Sequence, residues 1–489
     1  MKLELIDTTL RDAHQSLWAT RMTTAMMLPI VPTIDRVGYK MIDLMGTVQF
    51  DACVRYLRED PWERIRLINK AAPNTPLAAG FRSEGLTGFD IVPDALVCLW
   101  IERLVANGIG EVMVLESLHD WNNVKAFAET VHKSGAQLKI PMVYTESPVH
   151  TDEYYASRTR ELMKTLKPDV VYIKDANGVI TPERVKTLVP ALQAELGDTP
   201  LELHSHCTTG LAPAAYAEAM KLGVQTLHTA VPPLANGASQ PPAFNVINNA
   251  RRLGLDVDLD IEAIKAESKH FEFVASREGK PRGKLVEYDV FQYKHQIPGG
   301  MISNLEFMLA ERGLGDRLEE VLEEIARIRE EWGYPIMVTP FSQILGTQAV
   351  LHVVSGKRYA MTTRETIMYM LELYGAPPAP IDPNVKDRVL SLPEAREMLN
   401  WTPPQPTAQE MKKQMGLSNV PDDEFLLRAL FSGEHVDAVI AAGPMNTDYP
   451  RGDVPLMALI ETLIKDKRPG HFSLSKGGLG LNMKKKATS

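Results

Sequence analysis

The chain has 489 residues, 53 of them basic and 62 acidic, for a formal net charge of −9, with 44% hydrophobic and 24% charged side chains. That composition belongs to a globular protein and excludes a disordered or fibrous one, and the acidic balance argues against nucleic acid or an anionic membrane as the main partner. No run approaches the ~18 uninterrupted apolar residues of a membrane span, the opening MKLELIDTTLRD lacks signal-peptide anatomy, and Cys53, Cys98 and Cys207 suit a reducing, cytoplasmic setting.

Eight short β-rich runs recur in chain order at 3–6, 41–44, 76–81, 112–117, 140–145, 170–174, 201–206 and 226–231. Each is followed by a segment able to carry a helix. In 182–197, for example, Val185, Leu188, Val189, Leu192 and Leu196 keep an i, i+3, i+4 apolar stripe. Alternating strands and helices imply a parallel sheet, and eight repeats predict a (β/α)₈ barrel over 1–255. A doubly wound open sheet is disfavoured because no glycine-rich phosphate loop follows the first strand. Beyond 255 the pattern becomes helical, with helices expected at 316–332, 342–355, 363–374, 407–416 and 422–432 and proline-rich breaks at 376–383 and 402–406. The segment 256–470 therefore reads as a mostly helical second domain. The glycine- and lysine-rich 471–489 reads as a flexible tail.

In a barrel the chemistry sits where strands end at the C-terminal face. The first strand leads into Arg11 and Asp12, the sixth ends in Lys174, and the seventh ends in His204 and His206. Residues at i and i+2 on a strand point the same way, so the two imidazoles can share a cation with a carboxylate from the same rim. That donor set suits Zn²⁺, Co²⁺ or Mn²⁺. Lys174 has three readings: a Schiff-base amine, a salt-bridging lysine, or a lysine carbamylated by CO₂ and acting as a ligand.

With these residues in hand, IDTTLRDAHQSLWATRM (6–22) resembles the opening of the biotin-dependent carboxyltransferases that act on pyruvate and oxaloacetate. The likeness continues in EDPWER (59–64), the YT-x-SPVHT pattern (144–151), KDA (174–176), LHSHCTTG (203–210), QIPGGMISN (296–304) and VTPFSQILGTQAV (338–350). The resemblance implies a metal held by Asp12, carbamylated Lys174, His204 and His206. It implies that Arg11, Gln15 and Arg82 bind the acid substrate and that Thr339 relays a proton between substrate and biotin. Ser342 would lie at the biotin ring, with Asp51 lining the same pocket. His14, His150 and His295 fall in matched motifs and are expected to be structural.

The likeness breaks on the substrate side. Phe89 stands where the family has a tyrosine, and Met113-Val114-Leu115-Glu116-Ser117-Leu118-His119-Asp120 replaces a run that carries an arginine, a phenylalanine and an asparagine. Glu116, His119 and Phe89 are expected to change the wall beside the acceptor and to make pyruvate and oxaloacetate poor substrates. The biotinylation motif is also missing: Glu218-Ala219-Met220-Lys221 falls in an expected helix. The resemblance thus implies a stand-alone, homodimeric subunit served by a separate biotin carboxyl carrier protein, with a biotin carboxylase or a second carboxyltransferase subunit as its other partner. The alternative from the barrel core alone is a metal-dependent aldolase-type lyase or acyl synthase.

Overall fold

The computed structural model describes residues 2–83, 85–298, 314–451, 470–476 and 479–485, together with 302, 305, 309, 310 and 463. Of the QIPGGMISN segment, 299–301, 303 and 304 lie outside the described residues, as does Glu84.

Eight parallel strands close into a barrel in sequence order: β1 (Glu4–Asp7), β2 (Met41–Gly46), β3 (Leu77–Arg82), β4 (Glu111–Leu115), β5 (Gln137–Val143), β6 (Val170–Asp175), β7 (Leu201–Ser205) and β8 (Thr226–Thr229). β1 pairs with both β2 and β8, Leu5 opposite Leu227, which shuts the ring. The strands read as near-continuous apolar runs because helices cover their outer faces while the lumen is filled from within. The helices start where the sequence supplies caps. Thr151 accepts from the Tyr154 N–H ahead of Asp152–Thr165, and Thr181 from the Arg184 N–H ahead of Pro182–Leu196.

Charged residues inside three of these runs, Glu111, Lys139 and Glu202, are buried and pair with one another, with Lys40 joining from just before β2. Lys139 lies 2.7 Å from both Glu111 and Glu202, and Lys40 lies 3.2 Å from Glu202. Buried charges persist only when compensated in this way.

The C-terminal half divides between two cores. The helix Ile261–Glu278 and the segment 408–442 pack on the barrel, with Phe271, Val274, Phe425, Leu426 and Val436 in its apolar cluster. Between them, Leu318–Glu331, Phe341–Ser355, Arg364–Met370 and Pro383–Leu390 gather a second cluster around Trp332, Phe341, Tyr369 and Val389, and Leu118 of the barrel joins it. This second core sets the loop carrying Thr339 against the C-terminal rim of the barrel.

The tail carries more regular structure than its glycine and lysine content suggests. Gly470–Lys476 (β9) and Leu479–Lys485 (β10) form an antiparallel pair with Phe472 opposite Met483 and Leu474 opposite Leu481. The physical reason is an alternation of period two on either side of Gly477-Gly478, a hairpin signal that outweighs the glycine and lysine content. Residues 477–478 and 486–489 lie outside the described residues.

Candidate active site

Directly after β1 the chain enters a buried helical turn, Thr9–Ala13. It is pinned by the Thr9 N–H donating to Asp7 Oδ1 (2.9 Å) and by Thr8 Oγ1 donating to Gln240 Oε1 (2.8 Å). The turn sets Asp12 facing β7. Arg11 sits between two carboxylates, with Nη1 at 2.7 Å from Asp12 and Nη2 at 2.6 Å from Asp43. Burial pushes the Asp12 carboxyl up, but Arg11, with His206 and His204, holds it well below the usual carboxylate range.

His204 on β7 and His206 just beyond it turn Nε2 toward that carboxylate, at 3.8 Å and 3.2 Å. One ligand atom from each of Asp12, His204 and His206 falls within 4.8 Å of the others. The His206 Nδ1 is 2.5 Å from the Ala238 carbonyl, which accepts its proton and leaves Nε2 as a lone-pair donor. The His204 Nε2 is buried and has no hydrogen-bond partner among the described residues. A buried imidazole nitrogen without a partner, a second beside it and an anionic carboxylate together fit a transition-metal cation.

Lys174, at the end of β6, projects into the same space. Among the described residues Asp12 and Asp43 act on its Nζ only through their charge, without a hydrogen bond. Burial, and then the charge of Arg11, pushes its amine down to about 8. An amine in that range has a sizeable neutral fraction, the form that reacts with CO₂.

These groups share one cavity of ≈ 760 Å³ at the barrel mouth. Arg11, Asp12, Lys174 and His206 line it together with Gln15, Asp51, Arg82 and Thr339. Gln15 Oε1 accepts from Gln49 Nε2 (3.2 Å), and Asp51 pairs with Arg55 at 2.6 Å. The Arg82 Nε donates to the Leu86 carbonyl (3.1 Å), and its guanidinium faces the cavity without a carboxylate partner among the described residues. Thr339 is held through its own carbonyl, which accepts from Ser117 Oγ (3.1 Å). Ser342, in the first turn of Phe341–Ser355, is buried, its Oγ without a partner among the described residues, and neither it nor the buried His204 is among the lining residues.

Of the three residues expected to reshape the acceptor wall, only Phe89 reaches the cavity. Glu116 folds back into its own loop, accepting from the Leu118 and Asp120 N–H groups (2.8 Å each), and burial pushes its carboxyl up to about 8. It borders only a small side pocket that shares Arg82 and Phe89. His119 has φ of 60° and is fully buried, its Nε2 accepting from the Val143 N–H (3.0 Å). The wall is instead apolar, made by Met113, Leu115 and Val338. Glu116 is therefore not placed to repel an acidic acceptor, and of the three expected changes Phe89 alone bears on the cavity wall. His150 and His295 serve local structure, on Ser147 Oγ and the Ile297 N–H.

Sequence reasoning missed several supports. Asp43 grips Arg11, and Gln49 holds Gln15 and the Arg11 carbonyl. Gln240 Nε2 donates to Asp12 (2.9 Å), and His228 contacts His204. The available signal was a lone charge inside the apolar run MIDLMG and a polar pair, Ser239-Gln240, after the last strand.

A closed parallel barrel with such a donor set, a buried Arg11 and a half-buried Arg82 lining its mouth is an arrangement suited to binding a carboxylate at the C-terminal face. Residues 293–441 match the family model described as "Conserved carboxylase domain", and 117–270 match "HMGL-like". The chain is 41% identical over 391 residues to a pyruvate carboxylase subunit of Methanothermobacter thermautotrophicus, covering 79% of this chain and 68% of that one. It is 35% identical over 378 residues to the methylmalonyl-CoA carboxyltransferase 5S subunit of Propionibacterium freudenreichii subsp. shermanii, covering 77% and 74%. The structure resembles the carboxyl transferase domain of Rhizobium etli pyruvate carboxylase with 3-hydroxypyruvate, with a TM-score of 0.81, 26% identity and coverage of 90% and 77%. The chain belongs to the family of biotin-dependent carboxyltransferases. The lyase or acyl synthase alternative is not supported by these relatives. Among the described residues, no helix is long and apolar enough to cross a membrane.

Proposed function

We propose that this chain is the carboxyltransferase subunit that moves a carboxyl group between carboxybiotin on a separate carrier protein and a 2-oxo acid of the pyruvate/oxaloacetate type. The observation that carries the reading is that Arg11, Gln15 and Arg82, Asp12, Lys174 and His206, and Thr339 all line one cavity. In the proposal Asp12, His204, His206 and carbamylated Lys174 hold one Zn²⁺, Co²⁺ or Mn²⁺. The chemistry such a cation supplies when bound is Lewis-acid polarisation of the acceptor's oxygens.

The remaining work falls to side chains. Arg82, with Arg11 and Gln15, binds the acceptor carboxylate and orients its methyl group toward Thr339. Cleavage of the N–CO₂ bond of carboxybiotin releases CO₂ and leaves a biotin enolate. The Thr339 hydroxyl gives its proton to that enolate and takes one from the acceptor's methyl group, and the acceptor enolate forms the new C–C bond with CO₂. Asp51, which lines the cavity, takes the biotin side, and Ser342, buried outside the lining, supports it from the helix that follows Thr339. The reverse sequence decarboxylates the product.

As functional units the proposal takes a barrel over 1–255 and a helical unit over 256–470 that completes the site, supported by Thr339 and Val338 coming from the second and Arg11, Asp12, Lys174 and His206 from the first. Partners in the proposal are a biotin carboxyl carrier protein and a biotin carboxylase or second carboxyltransferase subunit, with the chain a cytoplasmic homodimer. In the proposal Lys221 is not the biotin attachment point, a reading supported by its place at the end of the helix Ala212–Lys221. The test is pyruvate release from oxaloacetate by the purified, metal-loaded chain with free biotin in excess. Release that depends on biotin supports the proposal; release unchanged by omitting biotin defeats it.

A further inference from the structure

Two imidazoles face Asp12, but they are oriented by different devices. His206 is held at Nδ1 by a backbone carbonyl, Ala238 O. His204 Nδ1 has no carbonyl; it lies 3.2 Å from the Nδ1 of His228 on β8. The far side of His228 is fixed as well, its Nε2 being 3.1 Å from Glu202 Oε2. Glu202 is clamped between Lys139 (2.7 Å) and Lys40 (3.2 Å), so it stands as a carboxylate and can only accept. The His228 ring is stacked on Tyr172, centroids 5.1 Å apart and planes 18° apart, and the two histidine rings meet at 89°.

Hydrogen-bond direction along this chain has one consistent solution for neutral rings. Glu202 accepts from His228 Nε2–H. His228 Nδ1 is then a lone pair and accepts from His204 Nδ1–H. The His204 Nε2 is left as a lone pair, and that atom is the buried one without a hydrogen-bond partner among the described residues, turned toward Asp12. We infer that His228 is a positioning residue: a Glu202–His228–His204 chain crossing the barrel lumen fixes the tautomer and ring plane of His204 so that its Nε2 is presented for cation binding. The inference rests on the metal-site reading above. His228 itself does not line the cavity.

The test uses the full chain, stripped with chelator and titrated with Zn²⁺ against a chromophoric competitor. Three variants accompany the wild type. His228→Phe keeps a flat ring against Tyr172 but removes the acceptor. His228→Asn returns an acceptor oxygen at the Nδ1 position. His206→Ala removes a proposed ligand outright. We expect His228→Phe to weaken Zn²⁺ by about 10–100-fold, the usual cost of losing such a partner. His228→Asn should stay within about threefold of wild type, with the metal-free melting temperatures of wild type and both His228 variants alike. Wild-type affinity in His228→Phe, or Asn no better than Phe, overturns the inference. If wild type and His206→Ala bind equally, the metal site is misread; tight wild-type binding lost in His206→Ala but kept in His228→Phe defeats the positioning role alone. Should His228→Phe not fold, imidazole ¹⁵N spectra of the metal-free wild type decide. His204 protonated at Nδ1 with His228 at Nε2 supports the chain, and His204 protonated at Nε2 overturns it.

Discussion

Arg82 gives the sharpest mutational test, because it should reveal a conflict between stability and function. Its guanidinium is largely enclosed, has one carbonyl contact at 3.1 Å, and is pushed by burial from 12.5 down to about 10, with Asp51 opposing the fall. A displacement of that size corresponds to about 3 kcal/mol of unfavourable charge burial. Because the group faces the cavity and its water, about 1–2 kcal/mol is the better figure. In Arg82→Met the charge is gone and an apolar chain fits beside Phe89, whose ring centroid lies 5.7 Å from the guanidinium carbon. We expect urea unfolding to show equal or greater stability, by up to about 2 kcal/mol. Losing a charge-assisted contact to the acceptor carboxylate, about 2–4 kcal/mol, should cut kcat/KM by about 30- to 1,000-fold. A variant destabilised by more than about 1 kcal/mol, or one with kcat/KM intact, would refute the reasoning: Arg82 would then be a structural residue.

Other outcomes follow from the same geometry. Thr339→Ala should lose at least about 10²-fold in kcat while Thr339→Ser keeps more, with binding of a 2-oxo acid little changed in either by calorimetry; equal turnover in the Ala variant removes the relay. Elemental analysis should find about one transition metal per chain, and His204→Ala should empty the site. Glu116 carries a pH signature: its carboxyl is raised from 4.5 to about 8, so the fold favours its protonated form. The stability it contributes is full below about 4.5 and is lost as pH rises toward about 8. Chemical unfolding of Glu116→Gln across that window should show a flatter pH dependence than wild type; parallel curves would contradict the burial argument.

The barrel was legible because its signal is repetitive. Eight apolar runs alternating with stripes such as Val185, Leu188, Val189, Leu192 and Leu196 leave few other folds, and the observed strands depart from the expected ones by only a few residues at either end. The rim residues were legible for a related reason. A His-x-His at a strand end keeps one direction, so His204 and His206 had to share a face. What stayed hidden depends on neighbours across the lumen. Asp43, His228 and Glu202 lie on three different strands, and nothing local says that Asp43 meets Arg11 or that His228 meets His204. Glu116 and His119 were misread because side-chain direction after a strand is set by loop backbone. The left-handed turn at His119 and the N–H groups that capture Glu116 take both away from the cavity. The division of the C-terminal half was equally non-local, since Phe425 and Val436 return to the barrel after a long excursion through the second core.

The central claim, carboxyl transfer between a biotin carrier and a small enolisable acid, is tested most directly by following the carboxyl carbon. The metal-loaded chain is mixed with a biotin carrier protein carboxylated with ¹³C-bicarbonate, excess label removed, and a panel of 2-oxo acids is supplied. The account predicts ¹³C in a new C3 carboxyl group of the acceptor, pyruvate becoming oxaloacetate, with transfer lost when the carrier lacks biotin and reduced at least about 10²-fold in Thr339→Ala. Label that stays on the carrier with every acceptor, or that enters an acceptor equally well without biotin, would contradict it.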